Sequence, residues 1–258
     1  MPFTSLFGAS PAGPSDTAKL WRYVDLPKLL DMLASGTLFA PSFAKLDADD
    51  PWEGLYSEEF LKRQHDWWSG ARVEPNVPRT REQLERANIG VRDMQEAQMR
   101  QRENAAVSCW RLHERESDAM WKAYTRLDLS VAIQTTYGHL YREFKAFGES
   151  TADLVVLGPV GYDMKQGENM LHAFLHKRAE YDTDEEVRLV VLQPGPVQCG
   201  GVRIKVDIKT LVERVWISPK GSQQTWFVDA VTDLCRRHGL AAPVERSVIS
   251  RRPTVPKL

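Results

Sequence analysis

The spacing of apolar positions changes repeatedly along the chain, and each change marks an element. Leu29, Leu30, Met32 and Leu33 fall on helical spacing after Pro27, and Gly36 is placed to stop that helix. Residues 37–40 read as a short strand ended by Pro41, so order begins near Leu20 with a strand–helix–strand unit. Residues 47–54 read as a turn-rich acidic loop. From about Tyr56 to Asn104 apolar density drops, and two charged helical stretches flank residues 70–78. The second stretch, 79–104, has only Leu84, Ile89, Val91, Met94 and Met99 as larger apolar residues. That pattern predicts a mostly solvated helix packing by one narrow stripe.

Beyond this section the elements alternate in type. Strands are expected at 106–112, 131–135, 154–162 (broken by Gly158 and Pro159), 187–192, 201–206, 215–218 and 244–249. Helices are expected at 118–126, 137–147, 168–178 and 207–211, with a last long one from Ser222 to Gly239. In the 168–178 helix, Met170, Leu171, Phe174 and Leu175 would face inward. No internal repeat or low-complexity tract appears. The sum is an α+β chain: a single domain over 20–250 with a helical insertion at about 56–104, a loose arm at 1–19 and a tail at 251–258.

Composition adds bounds. The 258 residues carry 34 basic and 35 acidic side chains, a net charge of −1, so no global attraction to nucleic acid or anionic membrane is expected. Eight tryptophans exceed the usual number, and core filling is the commoner fate for most of them. Cys109, Cys199 and Cys235 are widely spaced and form no CxxC pair, which reads as a reducing compartment. Residues 1–15 lack a charged region followed by an apolar run, and no stretch approaches 18 apolar residues; the expectation is a cytoplasmic protein without a membrane span.

Motifs for P-loop NTPases, Rossmann dehydrogenases, zincins and α/β-hydrolases are missing from the sequence. His172, His176 and Glu180 lie four residues apart and would share one helical face, as metal ligands can; a polar outer face is the commoner meaning of such spacing. Cys109 with His113 has the spacing for a nucleophile and base on one strand face, although buried strand cysteines are far commoner than reactive ones.

Four segments together carry a resemblance: Leu20-Trp21-Arg22-Tyr23, Asp50-Pro51-Trp52-Glu53, Ser117 to Tyr124 with its Met120-Trp121 pair, and Asp184-Glu185-Glu186-Val187-Arg188-Leu189. In this order they resemble a widespread bacterial family classed as a domain of unknown function. It has an aromatic-basic-aromatic start, a (D/N)-D-P-x-E loop, an M-W-x-x-Y helix and an E-x-E-x-R strand. The chain departs from that pattern with Asp184 where Glu is usual and with the charged insertion.

More distantly, the layout resembles ADP-ribosyltransferases of the Arg–Ser–Glu type. That resemblance implies a mixed or antiparallel split sheet with flanking helices, gripping NAD in its cleft. It implies Arg22, Ser108 and Glu186 as catalytic residues, with Asp184 two positions upstream of Glu186. It also implies Arg22, Tyr23, Ser42, Trp121 and Tyr124 around the dinucleotide. Chemically, a fixed carboxylate can stabilise the cationic sugar that forms as nicotinamide leaves, and a guanidinium can grip a pyrophosphate. Trp110 is a further ring for stacking on nicotinamide.

On strand alternation, Glu186, Arg188 and Val190 share one face, so Glu186 and Arg188 form either a solvated surface pair or an oriented one. The functional expectation is ADP-ribose transfer to a protein or nucleic acid, or NAD cleavage, as in a toxin or antiviral effector. Two alternatives stand beside it. One is a non-catalytic nucleotide- or protein-binding module; the other is a metal-dependent nuclease using Asp50, Glu53 and the His172/His176 face. The Asp50–Glu53 loop reads as a structural turn, or as a lid over the cleft.

Overall fold

A computed structural model describes residues 4–5, 13–46, 50, 52–125, 127–162 and 170–249. In chain order the strands are β1 (Thr4–Ser5), β2 (Lys19–Asp25), β3 (Thr37–Pro41), β4 (Ala105–Leu112), β5 (Ser130–Thr136), β6 (Leu154–Pro159), β7 (Glu186–Leu192), β8 (Gly201–Lys205), β9 (Arg214–Ile217) and β10 (Val244–Arg246). The α-helices are α1 (Leu26–Ser35), α2 (Glu58–Trp68), α3 (Arg81–Glu103), α4 (Asp118–Tyr124), α5 (Tyr137–Ser150), α6 (Ile208–Leu211) and α7 (Thr225–Arg237). The fold is α+β: a mostly antiparallel mixed sheet with flanking helices.

The main sheet has eight strands in the order β1-β6-β7-β4-β2-β5-β9-β10, and β3 pairs with β8 in a separate ribbon. Only the outermost pairs, β1 with β6 and β10 with β9, are parallel. The centre of the sheet is split. β2 and β4 pair only at Leu20 with Leu112 and Trp21 with Arg111, whereas each pairs over seven positions with its other neighbour. Past Trp21 the two strands part, and Ser42, just after β3, bridges to Ala106 on the edge of β4 away from β7.

Strand alternation sorts the core into layers. Leu20, Val24, Val131, Ile133, Val187, Leu189, Val215 and Ile217 point to one face, where α1, α5 and α7 cover them with Leu29, Leu140, Phe144 and Phe227. On the other face lie two smaller clusters. One is built on Phe43 and Phe174 with Val107 and Val190; the other is aromatic, with Trp21, Tyr23 and Trp121. Helix α1 begins with a proline in its first turn and ends at Gly36, whose left-handed φ of 65° lets its N–H reach Met32 O at 3.0 Å.

Several expectations fail for identifiable reasons. Two residues of the stretch read as a loose arm, Thr4–Ser5, pair in parallel with Val156 and Leu157. The helix expected at 168–178 does not form over its described part: Met170–Leu175 is a 3₁₀ turn and Ala179–Asp184 another. Between them the backbone is claimed by a bridge of Gly161 to His176, with Gly161 N–H on Leu175 O and Lys177 N–H on Gly161 O, so no α-helical ladder can continue. His172, His176 and Glu180 therefore do not line up on one helical face.

Helix α3 differs too. Leu84, Ile89 and Met99 of the expected stripe are exposed, and Ala87, Gln98 and Arg102 are the buried positions. The helix is anchored by polar reach: Gln98 Nε2 donates to Gly54 O and Arg102 Nε to Glu53 O, both at 2.7 Å. Gly90 lets the Trp68 ring of α2 lie against it, since a Cβ there would sit 2.7 Å from that ring. Of the eight tryptophans only Trp21, Trp110 and Trp121 are buried, while Trp52, Trp67, Trp68 and Trp226 are exposed.

Candidate functional site

A cavity of about 570 Å³ opens at the split between β2 and β4. Because the strands part there, both faces of β2 border it: Trp21 and Tyr23 on one, Arg22 and Val24 on the other. Phe39, Cys109, Trp110, Tyr124, Asp184 and Glu186 complete the wall that matters chemically. The volume falls within the roughly 300–1,000 Å³ of small-molecule sites.

Arg22 is the desolvated one of four cationic residues that line this cavity, beside Lys28, Arg111 and Arg203. Nη1 donates to Ser108 Oγ and Nη2 to Phe39 O, both at 2.7 Å, and the guanidinium lies 5.7 Å from the Trp110 ring centroid. Among the described residues no carboxylate lies within ion-pair distance of it. Burial lowers its affinity for its proton, bringing the pKa to about 10. Ser108 itself is fully buried and also accepts from Trp110 Nε1 at 3.1 Å. It supports Arg22 from beneath and does not line the cavity.

At Glu186 the charge reverses. Its Oε2 accepts from Arg188 Nε at 2.7 Å, and its Oε1 accepts from Lys177 Nζ at 3.1 Å and Tyr124 hydroxyl at 3.5 Å. Its backbone N–H donates to the Tyr162 hydroxyl at 2.7 Å. Burial alone would raise the carboxyl pKa, but Arg188 and Lys177 outweigh it and hold the group down to about 2. Arg188, fully buried, also donates to Glu53 Oε1 at 2.7 Å and Phe174 O at 3.2 Å. Asp184 Oδ2 accepts from Lys177 at 2.6 Å and from Tyr124 at 3.3 Å. The Tyr124 phenol is pushed far up by burial and then by these carboxylates, so it remains a neutral donor.

Backbone geometry creates this arrangement. Glu185, between Asp184 and Glu186, has a left-handed φ of 47°. That single turn ends the 3₁₀ segment and starts β7 with both neighbours reaching the same ammonium. Glu186 and Arg188 then follow alternation onto one face, as a buried pair and not a solvated one.

The residues singled out from sequence thus separate into groups. Arg22, Tyr23, Tyr124, Asp184 and Glu186 line one cavity, with Ser108 in contact behind Arg22. Trp121 does not line it; its ring packs edge-on against Tyr23 at 4.9 Å and its Nε1 donates to Glu116 at 2.9 Å. Ser42 is likewise outside it, buried in the bridge to Ala106. Asp50 and Glu53 are buried and paired, with Arg178 and with Arg188 and Lys177, so the loop is fastened down rather than hung as a lid; Pro51 lies outside the described residues. Cys109 lines the cavity, but burial and then the charge of Glu186 push its thiol up, away from nucleophilic use. Among the described residues no group of three or more His, Cys, Asp or Glu is placed to hold a metal ion. No described helix is long and apolar enough to cross a membrane.

Sequence reasoning missed Lys177 and Tyr162. Neither sits in a recognisable motif.

No family model matches the chain, and no curated protein matches it. Among solved structures it is similar to Thermus sp. 2.9 DarT in complex with ADP-ribosylated ssDNA, with 7% sequence identity and a TM-score of 0.41 over 92% of this chain and 97% of that one.

Proposed function

We propose that the cavity binds NAD and that the protein cleaves it, passing ADP-ribose to a macromolecular acceptor, protein or nucleic acid, or to water. The observation that carries this reading is the presence of opposite charges in the lining of one cavity: Arg22, a desolvated guanidinium without a carboxylate partner among the described residues, and Glu186, a carboxylate held ionised. Arg22 suits a pyrophosphate, because a planar fork of donors in a dry site binds an anion that water would otherwise solvate. Tyr23, Trp110 and Tyr124 border the same cavity and supply aromatic surface for nicotinamide or adenine.

At the other end, the carbon–nitrogen bond between ribose and nicotinamide breaks with its electron pair leaving on the nicotinamide nitrogen. The sugar becomes cationic, and Glu186 stabilises it and accepts from a ribose hydroxyl in place of Tyr124. The lone pair of the acceptor then forms the new bond to the anomeric carbon, and its proton passes to solvent.

A second reading has its own support. Both Glu186 oxygens already accept from Arg188 and Lys177, which fits a nucleotide-binding module without turnover. Incubating the protein with NAD, with and without cell extract, separates the two. Free nicotinamide from the parent protein and none from Glu186→Gln supports cleavage. Saturable NAD binding with no nicotinamide in any condition establishes the module, and absence of both removes the nucleotide assignment.

A further inference from the structure

Glu186 has two cationic neighbours with different attachments. Arg188 stands two residues along the same strand, fully buried, and is spent on Glu186, Glu53 and the Phe174 carbonyl. Lys177 comes from an irregular segment outside the sheet, just after the bridge of Gly161 to His176. Its Nζ lies 2.6 Å from Asp184, 3.1 Å from Glu186 and 3.5 Å from Glu53, and 4.5 Å from the Tyr181 ring centroid. It is the one cation, among the described residues, within ion-pair distance of all three carboxylates. Asp184 and Glu186 line the cavity, and Lys177 does not.

We propose that Lys177 is a positioning residue for the NAD chemistry above: by bridging Asp184 and Glu186 it fixes the spacing and direction of the two carboxylates presented to the cavity, without touching the ligand. This rests on the proposed NAD reading. Charge balance supports it. Around Glu186 stand Arg188 on its own strand, Arg111 and Cys109 on β4, Tyr124 on α4, Tyr162, Asp184 and Glu53. Arg111 is spent on Glu185 at 2.9 Å, and the two phenols and the thiol stay protonated and neutral. Without Lys177 the buried Glu186 and Glu53 share Arg188, and the half-buried Asp184 loses its ammonium partner. Losing one of its two cations raises the proton affinity of Glu186 and removes the group that ties it to Asp184. The Glu186 carboxylate is then free to turn from the direction it needs to oppose a cationic sugar, and an untethered Asp184 no longer holds its place beside it.

The test uses the full chain with carbon-13 in the glutamate and aspartate carboxyls, signals assigned by Glu186→Gln and Asp184→Asn. In Lys177→Met the Glu186 signal titrates at least about one pH unit higher than in the parent, and Lys177→Arg stays close to the parent. For nicotinamide release, Lys177→Met lowers kcat by roughly tenfold or more and leaves KM within about twofold, and the acid limb of its pH profile moves up with the Glu186 titration. Lys177→Arg recovers most of kcat. If Lys177→Met does not fold, Lys177→Met/Asp184→Asn removes a carboxylate with the cation and carries the same comparison against Asp184→Asn alone. A Glu186 titration unmoved by loss of Lys177, or kcat and profile equal to the parent's, overturns the proposal. A parent protein that releases no nicotinamide takes away the NAD reading instead, and the titration then decides on its own whether Lys177 governs Glu186.

Discussion

Arg22 crosses the gap where β2 and β4 part and donates to Ser108 Oγ at 2.7 Å, joining strands that no longer share a ladder. One hydroxyl serves two donors there, because Trp110 Nε1 also reaches it at 3.1 Å. In Ser108→Ala both donors lose an acceptor in a dry site, which costs about 1–3 kcal/mol of stability. The guanidinium, kept by Phe39 O alone, loses its direction. A urea titration and calorimetric ADP binding check this: the expected result is a lower midpoint and an affinity weaker by roughly tenfold. Unchanged ADP affinity would show that Ser108 does not aim Arg22.

Arg22→Met tests the anion assignment apart from any turnover. In the parent, ADP at a hundred times its dissociation constant raises folding stability by about 2.7 kcal/mol, visible as a higher Tm. The variant retains the aliphatic bulk and lacks the charge, so its Tm is expected not to respond to ADP. A shift equal to the parent's would place the anion elsewhere.

The Arg188 guanidinium is the most buried charge of the cluster. Arg188→Met leaves Glu186 and Glu53 facing each other with Lys177 alone between them, and strips a donor from the Phe174 carbonyl. Breaking a buried pair from one side costs about 3–5 kcal/mol. Adding Glu53→Gln, which removes one orphaned carboxylate, is expected to return part of that loss. Chemical unfolding of the two single variants and the double variant measures the coupling. Additive losses would mean that the pair does not interact energetically.

How far these features were readable from sequence depends on whether they are local. The stop at Gly36 and the common face of Glu186 and Arg188 follow from neighbours in the chain, and both were legible. The contact of Arg22 with Ser108 joins residues 86 positions apart, and only a family resemblance placed them together. Nothing in the sequence periodicity announced Lys177, whose partners Glu53 and Glu186 come from different elements. The failed helix at 168–178 has the same origin. Its apolar spacing suits a helix, yet a bridge to distant Gly161 takes the backbone groups a helix would use. Helix α3 misled differently: of its expected stripe Met94 packs against the Tyr56 and Phe60 cluster, while the buried hydrogen bonds that anchor it come from the long polar side chains of Gln98 and Arg102.

The ionised state of Glu186 gives stability a definite pH dependence. Its carboxyl sits at about 2 in the folded protein, against an ordinary value of 4.5, because Arg188 and Lys177 overcome the opposing effect of burial. A folded-state pKa depressed in this way contributes stability that is fully present above the unfolded value. That contribution is lost as pH falls from about 4.5 through about 2. Each proton taken up preferentially on unfolding changes stability by about 1.4 kcal/mol per pH unit. In urea titrations across this window, Glu186→Gln is therefore expected to show a shallower slope than the parent, by close to one proton. Parallel slopes would mean that Glu186 is not the group responsible.

The backbone at Glu185 has a φ of 47°, where L residues with a side chain are disfavoured. Its side chain does little to justify that: Oε2 forms a partly exposed pair with Arg111 at 2.9 Å, of a kind that contributes about 0–1 kcal/mol. What the conformation does is bring Asp184 and Glu186 to the same ammonium. Glu185→Gly and Glu185→Val both remove the Arg111 pair, so their difference isolates the backbone. Gly accepts a left-handed φ without steric cost, whereas a β-branched residue resists it by about 1–2 kcal/mol. The glycine variant is expected to stay within about 1 kcal/mol of the parent in chemical unfolding. The valine variant should be less stable than glycine by the steric difference, with weaker nicotinamide release as its two carboxylates drift apart. Equal stability and equal activity in the two variants would mean that the left-handed turn at Glu185 does not hold the carboxylates together.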